Sequence, residues 1–247
     1  MSITLSDFVP PIITRLVRRP KTIPQPYIFG DFRNWEAASA AAVPFEADFN
    51  VDGQVTEQIR RGERRSGSNF MPIMCGILLG GGKVLDYGGN FGFMYFQAMQ
   101  TIPSFIEWWR VVDLPKVVEY GNARFADGAL SFFDSTEKAL VGQQPDVIVC
   151  SGVLQYLADP YSTLGDLAGT RAGTLVLNEI PVANEERFAL QGAHQTIGDF
   201  TRAIRILSEA KLREATQGYQ IVSDVGLRPW APFSEVRQLS RVYRRKT

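Results

Sequence analysis

The chain has 247 residues, enough to bury a substantial core as one large domain or as one domain with an extension. Its 26 acidic residues balance 26 basic ones, so the overall charge does not predict a nucleic-acid partner. Two cysteines in apolar surroundings, without a Cys-x-x-Cys motif, predict a reduced, cytoplasmic protein that needs no disulfide.

Residues 1–80 are predicted to form an arm and a helical extension in front of the main domain. Five prolines among residues 1–26 predict a loosely folded arm that carries one short helix near residues 12–19. From Trp35 to Gly80 the pattern is helical, with Asn34 as the cap of the first helix. The main domain is therefore expected to span residues 81–247.

Beyond residue 81, apolar strands alternate with helical segments, which predicts a parallel sheet with helices on both faces. Two further strands near the end of the chain have no helix-length segment between them, so they should pair antiparallel. The predicted fold is α/β, Rossmann-like and doubly wound, a seven-stranded, mostly parallel sheet with an antiparallel last strand and an N-terminal helical extension. The seven strands are predicted at residues 83–87, 108–113, 129–133, 146–151, 174–178, 218–222 and 239–243.

The turn after the strand at 83–87 is the most informative stretch. An apolar run ends in Asp86 and passes into Gly88-Gly89-Asn90-Phe91-Gly92. Gly88 and Gly89 are predicted to take positive φ and to leave no Cβ between the backbone and a ligand. The helix that begins at Phe93 points its N–H groups and its positive dipole end at this loop. The ligand is therefore predicted to carry an anionic group.

The spacing of the loop distinguishes two cofactor classes. A dinucleotide site uses Gly-x-Gly-x-x-Gly, but Tyr87 stands where the first glycine of that pattern should be. An acid that closes the strand and is followed by Gly-Gly-x-x-Gly resembles instead motif I of the class I methyltransferases, which use S-adenosylmethionine. Asp113 closes the next strand 21 residues beyond Gly92, about the ~20-residue offset of a carboxylate that binds ribose.

Two narrower resemblances follow from other segments. Residues 111–118 are similar to the Asp-Leu-Pro segment of small-molecule O-methyltransferases, and residues 146–149 fit the fourth strand of those enzymes. In that family a histidine shortly after this strand removes the hydroxyl proton, and Gln155 occupies its place here. A neutral amide can orient a substrate, but it cannot act as a general base.

The second resemblance is to a family of uncharacterised bacterial methyltransferases with an N-terminal Gly-x-[Tyr/Phe]-x-x-Trp-x-x-Ala motif. The matching blocks are residues 30–38, 85–89 and 151–157, whereas the last 60 residues match poorly. The resemblance implies a class I fold with bound S-adenosylmethionine. This family often accompanies cell-surface polysaccharide genes, and it supplies no catalytic residue.

The residues predicted to bind the cofactor lie at the carboxyl ends of the strands, where ligands bind in open α/β sheets. Asp134 is predicted either to accept a hydrogen bond from the adenine amino group or to cap a helix over residues 135–141. Ser151 and Gly152 leave room for the methionine portion. The full set is Asp86, Tyr87, Gly88, Gly89, Gly92, Asp113, Leu114, Asp134, Ser151 and Gly152.

Methyl transfer needs few catalytic side chains, because the protein mainly aligns the acceptor and excludes water. A hydroxyl acceptor would still benefit from a base. The only histidine, His194, follows the strand at 174–178 where a substrate lid is expected, and Glu179 is the next candidate. Tyr156 is a predicted hydrogen-bonding partner, and Gln155 and Tyr156 are expected to face the substrate. No metal-ligand cluster is evident, so the reaction is predicted to be metal-independent.

The preferred function is therefore S-adenosylmethionine-dependent methyl transfer to a small-molecule or sugar acceptor, with a hydroxyl as the methylated group. An NAD(P)-dependent oxidoreductase is the enzymatic alternative. A non-catalytic cofactor-binding partner protein is the other, because a base is missing and the last 60 residues diverge. The sequence predicts neither a nucleic-acid partner nor a membrane span, and it leaves the oligomeric state open.

Overall fold

The computed structural model describes residues 28–43, 70–192, 201–225, 228–230 and 233–246. Eleven strands of this part form one mixed sheet. The strands are β1 (Ile28–Phe32), β2 (Lys83–Tyr87), β3 (Trp108–Val112), β4 (Leu130–Phe133), β5 (Val147–Ser151), β6 (Thr174–Ala183), β7 (Arg187–Gly192), β8 (Thr201–Ser208), β9 (Tyr219–Asp224), β10 (Arg228–Trp230) and β11 (Phe233–Arg245). The helices are α1 (Trp35–Ala41), α2 (Met71–Gly80), α3 (Phe93–Thr101), α4 (Pro115–Arg124), α5 (Thr136–Ala139), α6 (Pro160–Gly169) and α7 (Glu209–Ala215).

Seven of these strands form the predicted Rossmann-like sheet. Strands β4, β3, β2, β5 and β6 lie side by side in that order and are all parallel. Strand β11 is antiparallel to β6 on one side and to β9 on the other. The predictions of a mostly parallel sheet and of an antiparallel pair at the end of the chain are therefore confirmed.

Helices cover both faces of this sheet. Consecutive strand residues point to opposite sides, so each face presents its own apolar side chains for a helix to cover. Leu85 and Ile148 pack with residues of α5, α6 and α7 on one face. Val84 and Val147 pack with residues of α2 and α3 on the other. Each of these four side chains is fully buried, and each such burial contributes about 1.5–3 kcal/mol. The predicted doubly wound arrangement is confirmed.

The strand count and the N-terminal extension differ from the prediction. The sheet contains eleven strands rather than seven, because β1, β7, β8 and β10 are added to the Rossmann-like strands. The extension is not purely helical, since β1 precedes α1 and pairs with β7. Asn34 caps α1 as predicted, with its Oδ1 accepting from the Ala37 N–H at 2.9 Å. The predicted arm and the helix near residues 12–19 lie outside the described residues, and the boundary after residue 80 stays a prediction.

Three of the added strands, β1, β7 and β8, form an antiparallel layer that we call the cap sheet. Helix α1 packs against its β7 and β8 strands. The cap sheet joins the main sheet where β8 runs parallel to the end of β6, with Val182 opposite Leu207 and Ala183 opposite Ser208. Strand β6 therefore pairs with β5 in its first half and with β8 at its end.

A β-bulge in β6 accompanies this exchange. The register with β11 passes from Leu177 opposite Arg241 to Ile180 opposite Leu239, so two residues of β6 face one residue of β11. One of these two, Glu179, has a φ of 57°, in the left-handed region. Such a bulge bends and twists the strand that carries it. The bend lies directly after the last residue pair between β5 and β6.

Candidate functional site

The loop between β2 and α3 is shaped by left-handed backbone positions at both ends. Gly88 has a φ of 72° and donates its N–H to the Val112 carbonyl at 2.8 Å. Gly92 has a φ of 77° and stands directly before α3, which begins at Phe93 as predicted. The predicted positive φ of Gly88 is therefore confirmed. That of Gly89 is wrong, because Asn90 takes the left-handed conformation instead, with a φ of 51°.

Gly89 is required for space rather than for its backbone angles. A Cβ at this position would lie 2.4 Å from Oδ2 of Asp86, far inside the contact distance of real atoms. A Cβ on Gly88 would likewise lie 2.2 Å from Cγ2 of Val153, in the turn after β5. The glycine loop therefore sits directly against the carboxylate that ends β2 and against the turn that follows β5.

Asp113 lies in direct contact with the glycine loop. Its Oδ2 accepts a hydrogen bond from the Asn90 N–H at 2.8 Å, and its Oδ1 accepts one from the Leu114 N–H at 2.7 Å. Burial raises the pKa of Asp113 above its ordinary value, against the opposing effect of the two backbone donors. Each carboxylate oxygen keeps a further lone pair for a ligand hydroxyl. Leu114, beside it, is 67% exposed and offers an apolar surface.

Asp86 is the most perturbed acid of the site. Its carboxyl group is buried, and its Oδ2 accepts a hydrogen bond from Trp109 Nε1–H at 3.0 Å. Its Oδ1 has no hydrogen-bond partner among the described residues. Burial raises its pKa from the ordinary 3.8 to about 7; the Trp109 hydrogen bond opposes this effect and the charge of Asp113 adds to it.

Two more buried acceptors nearby lack a donor within the described part of the chain. They are Oδ1 of Asn90, in the glycine loop, and Oε1 of Gln155, in the 3-10 turn at Leu154–Tyr156. Buried polar atoms are nearly always hydrogen-bonded, so each of these unpaired acceptors fits a ligand that brings donors. An ammonium group, with three N–H donors and a positive charge, has the matching chemistry.

Ser151 and Gly152 follow β5 and are tied to β6 by hydrogen bonds to one residue. Asn178 donates from Nδ2 to the Ser151 hydroxyl at 2.9 Å, and its carbonyl accepts from the Gly152 N–H at 2.8 Å. Its Oδ1 accepts from the Ser240 hydroxyl at 2.9 Å. Asn178 is fully buried. Asn178 was not predicted as a site residue, because its only signal in the sequence is a polar side chain inside an apolar run.

The candidate catalytic residues occupy different surroundings. Glu179 is half-buried in the β6 bulge, and its N–H donates to the Ser240 hydroxyl at 3.3 Å. A left-handed Glu is unusual, and such strained residues cluster at functional sites. Gln155 is only 6% exposed, and Tyr156, half-buried, hydrogen-bonds to residues of the cap sheet. His194 lies outside the described residues.

Asp134 is exposed, and it forms an ion pair with Lys138 at 2.7 Å. The predicted cap role of Asp134 is wrong, because Ser135 caps α5 by accepting from the Lys138 N–H at 3.3 Å. Its adenine role stays a prediction. Tyr87 ends β2 and packs against the cluster that contains Leu85, where burial raises the pKa of its phenol.

Both cysteines are free thiols; Cys150 is fully buried beneath the loop region and Cys75 is half-buried. Among residues 28–43, 70–192 and the described segments after 200, no group of three metal-ligating side chains lies together. In the same part of the chain, no helix has the length and apolar character to cross a membrane.

Comparison with known proteins relates the chain to methyltransferases through its fold. No family model matches it, and no curated protein matches it in sequence. An S-adenosylmethionine-dependent methyltransferase from Clostridium acetobutylicum ATCC 824 superposes with a TM-score of 0.51 at 8% identity, over 79% of this chain and 99% of that one. The magnesium protoporphyrin IX methyltransferase from Synechocystis PCC 6803, with bound SAM, superposes with a TM-score of 0.50 at 16% identity, over 82% of this chain and 86% of that one. The chain shares the α/β Rossmann-like fold of these enzymes.

Proposed function

We propose that the protein is an S-adenosylmethionine-dependent methyltransferase that methylates a hydroxyl of a small-molecule or sugar acceptor without a metal ion. The observation that carries this proposal is the contact between the glycine loop and Asp113, where the Asn90 N–H donates to Oδ2 at 2.8 Å. A loop that cradles the amino-acid end of a nucleoside and an acid that binds its ribose must lie this close together. The fold shared with two methyltransferases supports the same conclusion.

The residues of the site fit this cofactor. The two hydroxyls of the ribose match the free lone pairs of Asp113, and the exposed face of Leu114 suits the adenine ring. The buried, unpaired Oδ1 of Asp86 suits the ammonium of the amino-acid end. Ser151 and Gly152 would border the methionine portion, and Asp134 is proposed to accept from the adenine amino group. When bound, the cofactor supplies a methyl group activated by its positive sulfur.

The protein itself aligns the acceptor with the cofactor, excludes water and supplies a group that takes up one proton. Transfer forms a bond between the acceptor oxygen and the methyl carbon, breaks the bond between that carbon and sulfur, and releases the hydroxyl proton. Gln155 cannot take this proton. We assign that role to Glu179, which lies in the β6 bulge directly after the last residue pair between β5 and β6, with His194 as the second candidate. Tyr156 is proposed to hydrogen-bond to the acceptor.

Two other functions make different predictions. An NAD(P)-dependent oxidoreductase normally ends its Rossmann sheet on a parallel strand, whereas β11 is antiparallel to both of its neighbours in the main sheet. A non-catalytic partner protein would bind the cofactor and turn over no acceptor. We also assign the protein to the cytoplasm, and residues 81–247 to the catalytic domain with residues 1–80 as its extension.

Calorimetric titration separates these functions. We expect S-adenosylhomocysteine to bind and NAD(P) not to bind; tight NAD(P) binding without a response to S-adenosylhomocysteine would overturn the proposal. Asp113→Ala should weaken S-adenosylhomocysteine binding by about 1–3 kcal/mol, because hydrogen bonds to a charged group are lost. Asp166→Ala, which removes the same charge from the exposed face of α6, should leave the affinity unchanged. Equal affinities of the two variants would remove the ribose role of Asp113.

A further inference from the structure

The cap sheet carries three arginines, and one of them differs from the other two. Arg187 and Arg205 each form ion pairs with carboxylates. Arg202 contacts no carboxylate among the described residues and hydrogen-bonds to two neutral side chains, Gln191 and Tyr156. Its positive charge is therefore held in place without being neutralised by the part of the chain that the structure describes.

Three hydrogen bonds and a ring contact fix the position of this guanidinium. Arg202 Nε–H donates to Oε1 of Gln191 at 2.9 Å, and an Nη2–H donates to the Tyr156 hydroxyl at 2.8 Å. The Tyr156 hydroxyl in turn donates to the same Gln191 oxygen at 2.7 Å. The guanidinium carbon lies 3.8 Å from the centre of the Tyr156 ring, within the range of cation–π attraction.

One turn links the Arg202 cluster to the glycine loop. Tyr156 ends the 3-10 turn that follows β5, and Val153 at the start of this turn packs directly on Gly88. The same turn packs against β8, which carries Arg202 opposite Gln191 of β7. The cluster therefore stands on the side of the loop where the cap sheet faces the carboxyl end of β5. An acceptor bound between the cap sheet and the cofactor loop would lie on the side of this guanidinium.

The chemistry of the remaining donors defines what binds there. A guanidinium has five N–H donors, and the two hydrogen bonds above use only two of them. A planar guanidinium matches the paired oxygens of a carboxylate or a phosphate. Arg202 is exposed, so these donors are accessible to a ligand. Because the group is already oriented, binding does not need to immobilise a flexible side chain.

We propose that Arg202, positioned by Tyr156 and Gln191, binds an anionic group of the methyl acceptor, either a carboxylate or a phosphate. This assignment rests on the proposed methyltransferase function. It narrows the acceptor to molecules that carry such a group in addition to the hydroxyl that is methylated. Arg202 acts as a specificity-determining residue, and Tyr156 and Gln191 hold its guanidinium in position.

Binding of simple probes tests the proposal without knowledge of the acceptor. We would titrate the full chain, saturated with S-adenosylhomocysteine, with benzoate, with its neutral analogue benzamide and with inorganic phosphate at constant ionic strength. We expect benzoate or phosphate to bind saturably with a Kd below about 10 mM and benzamide to bind at least tenfold more weakly than the bound anion. Arg202→Gln should weaken anion binding at least tenfold, and Arg202→Lys, which keeps the charge without the planar fork, should weaken it less.

The control is Arg213→Gln, which removes an equal charge from the exposed face of α7 and should bind the anions like the unaltered protein. Melting temperatures of all variants establish that they fold. The anion site is overturned if the anions do not bind, if benzamide binds as tightly as the anions, or if Arg202→Gln binds them as tightly as the unaltered protein. As long as S-adenosylhomocysteine still binds, these results leave the methyltransferase proposal intact. If the unaltered protein does not bind S-adenosylhomocysteine, the methyltransferase proposal itself is overturned, and the acceptor assignment with it.

Discussion

The glycine-loop unit, formed by β2, α3 and β3, and the cap sheet are built from contacts of different range along the chain. In the loop unit, the Asn90 N–H reaches Asp113 across 23 positions of sequence. In the cap sheet, β7 and β8 follow each other along the chain, but β1 joins them from far away, and Arg187 reaches Asp31 across 156 positions. The first kind of contact follows from a strand, a turn and a helix in sequence. The second depends on how distant segments meet after the fold has formed.

The two regions also treat buried polar atoms differently. In and around the loop, acceptors of Asp86, Asn90 and Gln155 are buried without a donor among the described residues. In the cap sheet, the buried Arg205 pairs with Glu186 at 3.0 Å, and only its Nε–H lacks an acceptor among the described residues. Unpaired buried acceptors cost stability, so they are retained where a ligand supplies the missing donors. Matched charges instead attach the cap sheet to the rest of the protein.

The largest expected effect comes from removing this attachment. Arg205 is 8% exposed, donates to Glu186 and to the Ala158 carbonyl, and lies 4.9 Å from the centre of the Phe188 ring. Burial alone would raise the pKa of Glu186, but Tyr161, Arg205 and Lys211 lower it below its ordinary value, so the carboxylate is charged. Arg205→Ala should reduce the free energy of unfolding by about 3–5 kcal/mol, because it removes a buried side chain with its packing and leaves the half-buried Glu186 with Lys211 as its only cationic partner among the described residues.

Urea unfolding measures this effect, with Arg187→Ala as the matched control. Arg187 also pairs with two carboxylates, Asp31 and Glu235, but these are 68% and 51% exposed. Exposed ion pairs contribute little, so Arg187→Ala should cost less than about 1 kcal/mol. Equal costs for the two variants would show that burial does not distinguish the two pairs. Should Arg205→Ala fail to fold, Arg205→Met, which keeps the apolar stem, provides the same comparison.

The difference in range explains which features could be predicted from the sequence. Strand β2 was predicted with its observed bounds, because an apolar run passes directly into the glycine turn. Strand β6 was predicted to end at Asn178, whereas it continues to Ala183. The sequence after Asn178 is typical of a strand end, because a charged residue, Glu179, interrupts the apolar run and Pro181 lacks the N–H that a strand interior uses. The bulge at Glu179 and pairing with β8 and β11 carry the strand past both residues.

The candidate site divides in the same way. Residues of the glycine loop and Asp113 were predicted because their spacing along the chain reflects the spacing of adjacent strands. Asn178 and Arg202 were missed, because their roles depend on Ser240 and Tyr156, which lie 62 and 46 positions away in sequence. Gln155 was expected to face the substrate, which stays a prediction; its burial with an unpaired oxygen was not foreseen. Burial of a polar side chain depends on tertiary packing, which a local pattern does not contain.

An intermediate effect is expected from the buried acid of the loop. The folded pKa of Asp86, about 7, lies above its ordinary 3.8, so the folded protein holds a proton that the unfolded chain has released between these values. Stability is therefore highest below about pH 4 with respect to this group, falls as the pH rises towards 7, and then levels off. The loss is on the order of a few kcal/mol in the absence of a ligand.

Asp86→Asn removes this titration while keeping an oxygen that can accept from Trp109. Urea unfolding at several pH values from 5 to 8 should show a smaller pH dependence in Asp86→Asn than in the unaltered protein. Asp134→Asn, which removes an exposed carboxylate of the same edge, should keep the full dependence. Identical slopes in all three proteins would mean that Asp86 is not the buried acid that the structure indicates, and the contrast between loop and cap would lose its main electrostatic support.

The smallest effect tests whether the loop and the turn after β5 are in tight contact. Gly88 has a φ of 72°, and a Cβ there would meet Val153 at 2.2 Å. Gly88→Ala should therefore lower the free energy of unfolding by about 1–3 kcal/mol, through backbone strain and displacement of the turn. Gly165→Ala, inside α6 with no atom within 4 Å of a new Cβ, should instead raise it by about 0.5–1 kcal/mol. Thermal unfolding of the two variants should give shifts of opposite sign, because the strain at Gly88 and its contact with Val153 both act against the new Cβ. A Gly88→Ala protein as stable as the unaltered one would show that Val153 moves aside at no cost. The turn after β5 would then not connect the Arg202 cluster rigidly to the glycine loop.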